Sequence, residues 1–406
     1  MADVSASLHG ERLRRYRYAV LLIGFVTLAG ASGVSGCFAV FYNTLVKEFS
    51  WSRASGASPY AVNMIVSIVS APLIGWLLDR YGPRWVFPIA ALLSGGALIA
   101  CSTLQTLGQF VVYYGVLSAV GQTALGAVAV VVSRWFERTR RGRAIGFADV
   151  GTGAGMVVFI PGSAWLIGTF GWRPAFAILG AVIMALLVPL NLWQRRPPVV
   201  TAPTTSPASF GHALHHKAFW MLCLAHGCMT ITTTMVNVHL VPFLVISGQL
   251  QLFGAATVSS TVSLVSLGGR MFFGWLADRL HGEGAFSVAM SCSITGFVML
   301  LLLGQSEARW PLYAFVLVYG FAQGAGGIAI AAKTVALFHG PSLGTIFMVV
   351  DLSAHLGAAF GAWCGGRLFD VTGSYACTFV TAIVSGLLAI SCMWSGRHGQ
   401  PTLREA

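Results

Sequence analysis

A chain of 406 residues that is 56% hydrophobic and only 9% charged cannot clothe itself in a water-compatible surface, since soluble domains carry roughly 25% charged residues. Lipid must solvate most of it. The net charge of +12 comes from Lys and Arg gathered between apolar runs, which is no reason to invoke nucleic acid.

Crossing a bilayer takes about 20 mostly apolar residues in a helix, and runs of that kind recur along the whole chain. They cover 18–45, 55–78, 85–105, 108–133, 143–168 and 173–193, then 218–247, 253–277, 285–304, 309–335, 342–368 and 374–395. Arg12, Arg14, Arg15 and Arg17 precede the first run as they would in a signal peptide. That run is too long for a cleaved apolar segment, so it is expected to persist as the first span. Between the sixth and seventh spans, Gln194 to Lys217 holds Arg-Arg-Pro-Pro and then a Thr/Pro/Ser stretch, which cannot form a packed core. The predicted organisation is therefore all-α and membrane-integral, with twelve transmembrane helices. One six-helix bundle covers 1–193, a cytoplasmic linker 194–217, and a second bundle 218–406.

His212, His215 and His216 close the linker without a Cys or carboxylate to complete a metal-ligand set. They are read as a solvated flank, and no metal or cofactor is expected. The eight cysteines stand singly, with no Cys-x-x-Cys pair, and read as small apolar filler.

Cytoplasmic loops collect Lys and Arg. With the N-terminus inside, the inner segments hold Arg12 to Arg17, Arg80, Arg84, Arg134 to Arg143, Arg195, Arg196, Lys217, Arg279, Lys333, Arg397 and Arg404. The outer ones hold Lys47, Arg53, Arg173, Arg309 and Arg367. Both termini are thus expected in the cytoplasm, in a cell membrane that the short loops suggest is a bacterial inner membrane.

One phrase occurs twice, half a chain apart. Gly75-Trp76-Leu77-Leu78-Asp79-Arg80 closes the second span, and Gly274-Trp275-Leu276-Ala277-Asp278-Arg279 closes the eighth. Such a repeat marks a duplicated bundle. In the first copy Gly75 lets helices approach, and Asp79 at a helix end can meet a helix N-terminus or an arginine. With Gly82 and Arg84, the first copy resembles the cytoplasmic loop signature of the major facilitator superfamily. That resemblance covers the chain and implies two pseudo-symmetric bundles that rock about a midplane site, in a functional monomer. It also implies a latch role for Gly75, Asp79, Arg80 and Arg84, and for Asp278 and Arg279 in the incomplete second copy.

Further phrases narrow the resemblance: Glu48-Phe49-Ser50-Trp51-Ser52-Arg53, Trp135-Phe136 with Arg140-Arg141-Gly142-Arg143, Gly171-Trp172-Arg173, and Asp370 with Thr372-Gly373-Ser374-Tyr375. Together they resemble the monocarboxylate porters and the oxalate/formate antiporters. An arginine at membrane depth costs about 2.5–3.5 kcal/mol on insertion scales, so Arg270 needs a partner or an aqueous cavity. By the resemblance, Arg270-Met271-Phe272-Phe273-Gly274 matches the arginine that binds a substrate carboxylate. A structural pairing with Asp351 is the alternative. Arg141 matches the basic residue that opens the fifth span. The lactate carriers' first-span lysine and eighth-span aspartate are replaced by Val40 and Ser266, and the oxalate carrier's eleventh-span lysine has no counterpart. A monoanion fits this better than a dianion.

Asp351 and His355, four apart on one helix face, are candidates for proton exchange, as is Asp149, each with a structural alternative. Tyr113, Tyr114, Asn43, Gln122, Asn237, His239 and Tyr319 are candidates to line the cavity, beside Tyr42, Asn63 and Gln323. Gly357, Gly361 and Gly365 read as a close-packing stripe. The expected function is secondary active transport of a small organic anion, a monocarboxylate above all, with protons as co-substrate and lipid as surroundings. Efflux of a neutral or cationic solute is the competing expectation. No enzyme is expected: Gly340-Pro341-Ser342-Leu343-Gly344 imitates a nucleophile elbow but lacks the strand-to-helix turn that motif needs.

Overall fold

The computed structural model describes residues 2–51, 53–137, 139–196, 210–246, 250, 252–305, 308–338 and 342–396. Its helices are α1 (Ala2–Glu48), α2 (Arg53–Tyr81), α3 (Pro83–Cys101), α4 (Leu107–Phe110), α5 (Ala119–Gly126), α6 (Val128–Trp135), α7 (Arg141–Phe170) and α8 (Trp172–Leu192). Then come α9 (Phe210–His215), α10 (Lys217–Ile246), α11 (Leu252–Leu303), α12 (Trp310–Ala322), α13 (Ala325–Leu337), α14 (Leu343–Thr372) and α15 (Ala376–Ser395). A π-helical stretch, Val111–Ser118, joins α4 to α5. Among the described residues, eleven stretches of helix are long and apolar enough to cross a membrane. Tryptophan and valine side chains such as Trp165 and Val69 stand exposed on them, as a lipid-facing surface requires. The protein is integral to a membrane.

Three expectations about the elements need correction. The eighth and ninth runs are one helix, α11, because Asp278 to Glu283 contains no proline and continues the helix where a loop was expected. The fourth and tenth runs are not single α-helices: the fourth passes through the π-helical stretch, and the tenth breaks between α12 and α13. Most of the predicted linker, together with Gly340 and Pro341, lies outside the described residues.

The chain divides into two compact units, Met1–Glu137 with Phe147–Ser206, and Arg138–Gly146 with Pro207–Ala406. The opening of α7 therefore groups with the second unit. In the first unit, α3 lies along α8, and α1 packs on α6 and α8. In the second, α10 packs along α14 and α15, and α11 along α12, α13 and α15.

Lipid provides no hydrophobic drive for helix association, so small residues that permit close approach decide the crossings. Each unit shows this in the same way. Gly151 and Gly155 of α7 lie on the backbone of Phe25 and Ala29 in α1, while Gly357 and Gly361 of α14 lie on that of Gly227 and Ile231 in α10. The duplicated sequence thus folds into duplicated crossings. The cores behind them are aromatic: Phe41 stacks on Phe176 at 3.7 Å between ring centroids, and Phe297, Phe315 and Tyr319 pack together in the second unit.

Candidate functional site

The break between α12 and α13 positions Arg270. Gln323 leaves the helix with ψ of 124°, and Gly324 follows in the left-handed region at φ 83°. A side-chain-bearing residue is strained there. A Cβ on Gly324 would also come within 2.8 Å of Arg270 Cζ and Nη2, so the guanidinium lies directly against the glycine. One residue earlier, Gly269 packs directly on the Phe321 carbonyl, which brings α11 onto the last turn of α12. The side-chain amide of Gln323 donates to Asn237 Oδ1 of α10 at 3.0 Å.

The first amides of a helix have no intrahelical acceptor and carry the positive end of its dipole. Arg270 therefore meets the start of α13, and two positive features converge beside an amide pair. That combination is chemically suited to a carboxylate: a guanidinium offers paired donors, and broken helices can present their N-termini to anions. Sequence reasoning had Arg270 and Asn237 but not the break. Its visible signal is Gln323-Gly324 inside an apolar run.

A second group lies on α10 and α14. His355 Nδ1 is 3.8 Å from Asp351 Oδ2, and both side chains are partly exposed. His226 of α10, overlooked in the sequence, is buried with Nδ1 3.3 Å from the Val350 carbonyl. Asp149, on α7 in the other unit, accepts from Thr152 at 3.4 Å.

A third group surrounds the repeated aspartates. Asp79 Oδ1 pairs with Arg134 of α6 at 2.7 Å, and its carbonyl accepts from Arg196. Asp278 accepts from the backbone N–H groups of Gly142 and Arg143 at 2.6 and 3.0 Å, and from Arg143 Nε at 3.2 Å. A carboxylate thus caps α7, where the helix dipole favours it. Arg80 lies over Trp76 at 5.2 Å and Arg279 over Trp275 at 4.6 Å, so both copies stack an arginine on the tryptophan four residues earlier. Gly75 is buried and Arg84 exposed. Arg141 lines a cavity of about 420 Å³ with Asp278, Glu283 and Lys333.

Asp278→Ala should free the first amides of α7. Hydrogen–deuterium exchange at Gly142 and Arg143 is expected to quicken about tenfold or more, because charge-assisted bonds are worth about 1.5–3 kcal/mol each. Unchanged exchange would deny the cap.

Other predicted positions serve different ends. Tyr319 is fully buried, stacked on Phe315 at 5.0 Å, and so belongs to the aromatic core and not to a cavity wall. His239 is buried too, its Nε2 3.2 Å from the Ala362 carbonyl and its ring against Gly365 and Tyr375. Both were expected as lining because a polar atom in an apolar run draws attention. Here the atoms sit within packing contacts. Tyr114 is buried against Phe38, its carbonyl accepting from the buried Asn63. The π-helical stretch carries both Tyr113 and Tyr114, with Tyr113 partly accessible. Gln122 donates to Ser118 Oγ at 2.5 Å. The Asn43 side chain lies outside the described set. Lys333, counted among the loop cations, is buried in α13.

A family model described as the Major Facilitator Superfamily matches residues 20–362. The chain is 29% identical over 382 residues to monocarboxylate transporter 13 of Bos taurus, covering 89% of this chain and 85% of that protein. It is 25% identical over 402 residues to the uncharacterized MFS-type transporter YcxA of Bacillus subtilis (strain 168), covering 93% and 94%. Among solved structures, that of the E. coli fucose:proton symporter FucP superposes with a TM-score of 0.76 at 12% identity, over 93% of this chain and 98% of that one. At that identity the likeness concerns the fold alone.

Proposed function

This chain belongs to the Major Facilitator Superfamily and is a transporter, and from that premise we propose that it carries a small organic monoanion, a monocarboxylate, by proton-coupled alternating access. The observation that supports this reading is Arg270 at the interrupted helix, its guanidinium against Gly324 where α13 begins. The relative's name, monocarboxylate transporter 13, points to the same chemistry. The carboxylate bridges the two guanidinium donors near the α13 amides, with Gln323 and Asn237 beside them. Tyr113 and Gln122 are the first unit's own candidates for substrate contact.

Coupling falls to Asp351 and His355, since position 266, where the lactate carriers place an aspartate, holds a serine that donates to the Ser263 carbonyl. Asp149 is the further candidate. The reading also places both termini in the cytoplasm of a bacterial inner membrane and takes the monomer as the working unit. Asp79 and Asp278 latch and release helix ends as the site changes the side it faces.

Counterflow in proteoliposomes with a panel of labelled mono- and dicarboxylates tests the reading. Exchange of one monocarboxylate by folded protein is expected. No carboxylate exchange would sink it and direct attention to cations around Asp149 and Asp351. Gly324→Ala sharpens the test: strain of about 1–2 kcal/mol at a left-handed residue, plus displacement of Arg270, should raise KM roughly tenfold.

A further inference from the structure

We propose that His226 is the proton-accepting group of this carrier, acting with Asp351 and His355 as one three-membered site where α10 meets α14. The inference rests on the proton-coupled reading above and deepens it.

Geometry assigns the tautomer. A carbonyl can only accept a hydrogen bond, so the contact of His226 Nδ1 with the Val350 carbonyl puts the ring hydrogen on Nδ1. Nε2 then keeps its lone pair and has no hydrogen-bond partner among the described residues. A proton from water adds to that lone pair to form the imidazolium and leaves by breaking the same N–H bond. His355 is held alike, with Nδ1 3.2 Å from the Asp351 carbonyl.

The electrostatic surroundings supply a counter-charge. Five helices pack on α10. α10 itself carries Lys217, Cys223, Cys228 and His239, and α14 carries Asp351, His355, Cys364, Arg367 and Asp370. The titratable groups of α15 are Cys377 and Cys392. From α13 comes Lys333, held by Glu283 and the Met393 carbonyl. From α11 come Arg270, Asp278, Arg279, His281, Glu283 and Cys292, and α9 contributes His212 and His215. Of these, Asp351 directly follows Val350, whose carbonyl His226 meets, and His355 lies beside Asp351. With both histidines neutral and Asp351 ionised, the site carries one negative charge, and a single proton neutralises it.

The placement gives that charge something to act on. His226 neighbours Gly227, which lies against Ser353 and Gly357 at the closest approach of α10 and α14. Charging the ring therefore alters a crossing built on backbone contact, separately from the carboxylate position at Arg270.

His226→Asn provides the test, because its amide can still donate to Val350 but cannot accept a proton at the Nε2 position. In proteoliposomes the variant is expected to keep counterflow while losing accumulation driven by a pH gradient by about tenfold or more. Unchanged gradient-driven accumulation would overturn the proposal. So would equal loss of counterflow and accumulation in folded variant, since that is the signature of a packing role. Counterflow in wild type without gradient-driven accumulation also overturns it, and leaves the carboxylate reading standing. A second readout needs no substrate: nitrogen NMR of labelled histidines in lipid nanodiscs, the His226 signal identified by its loss in His226→Asn. The expected result is an Nδ1–H ring that protonates at Nε2 and needs a lower pH to do so in Asp351→Asn. A His226 ring that stays neutral across the pH range of transport, or ignores Asp351→Asn, would overturn the assignment even if no carboxylate is carried.

Discussion

Arg270→Gln should abolish carboxylate counterflow while leaving the protein folded. Truncating one partner of a desolvated charge pair costs about 2–5 kcal/mol, which at about 1.4 kcal/mol per tenfold corresponds to a loss of about thirtyfold to several thousandfold in kcat/KM. Gln keeps a polar tip but offers neither the charge nor the pair of parallel donors. Arg270→Lys separates these two contributions. An ammonium is a point charge on a flexible stem; it cannot span two carboxylate oxygens. Lys is therefore expected to restore only a small part of the lost rate. Measured kcat/KM for counterflow in matched proteoliposomes checks both variants. If Arg270→Gln transports as well as wild type, the arginine is structural and the anion reading falls with it.

Lys333→Met should strongly destabilise the second unit. Lys333 Nζ donates to the Met393 carbonyl at 2.8 Å and pairs with Glu283 at 2.9 Å, with the two side chains 4% and 13% exposed. Removing the cation takes the ion-pair partner from a largely buried carboxylate at the cavity wall, and breaking such a pair from one side costs about 3–5 kcal/mol. Removing both charges is far milder, because a matched apolar replacement avoids the desolvation of either ion. Lys333→Met with Glu283→Gln is thus expected to recover most of what Lys333→Met loses. Unfolding midpoints in mixed micelles, read as a double-mutant cycle, check this. A single variant as stable as wild type would show that the pair contributes nothing.

The repeated Gly-Trp phrase was legible, and the structure gives it a meaning beyond the aspartate. In both copies an arginine stacks on the tryptophan four residues before it, a spacing that puts the two on one helix face. Asp278 was expected at a helix end, yet α11 runs on through it, and its carboxylate caps α7 instead. His226 went unnoticed because a lone histidine in an apolar run looks like any other. Only the neighbouring α14 turns it into a member of a charged group. His239 and Tyr319 drew attention for the same local reason and are packing residues, since their neighbours in space are a carbonyl, a glycine and aromatic rings.

Membrane class, helical content and duplication were determined by the sequence alone. Lipid penalises every unpaired backbone group, so a long apolar run has little choice but to become a helix. Runs and repeats are local properties that can be read along one dimension. The break at Gln323-Gly324, the seat of Arg270, the tautomer of His226 and the partner of Lys333 were decided by tertiary structure. Each depends on a guanidinium, carbonyl or carboxylate brought from a distant part of the chain, and the energies at stake arise only when those groups meet away from water.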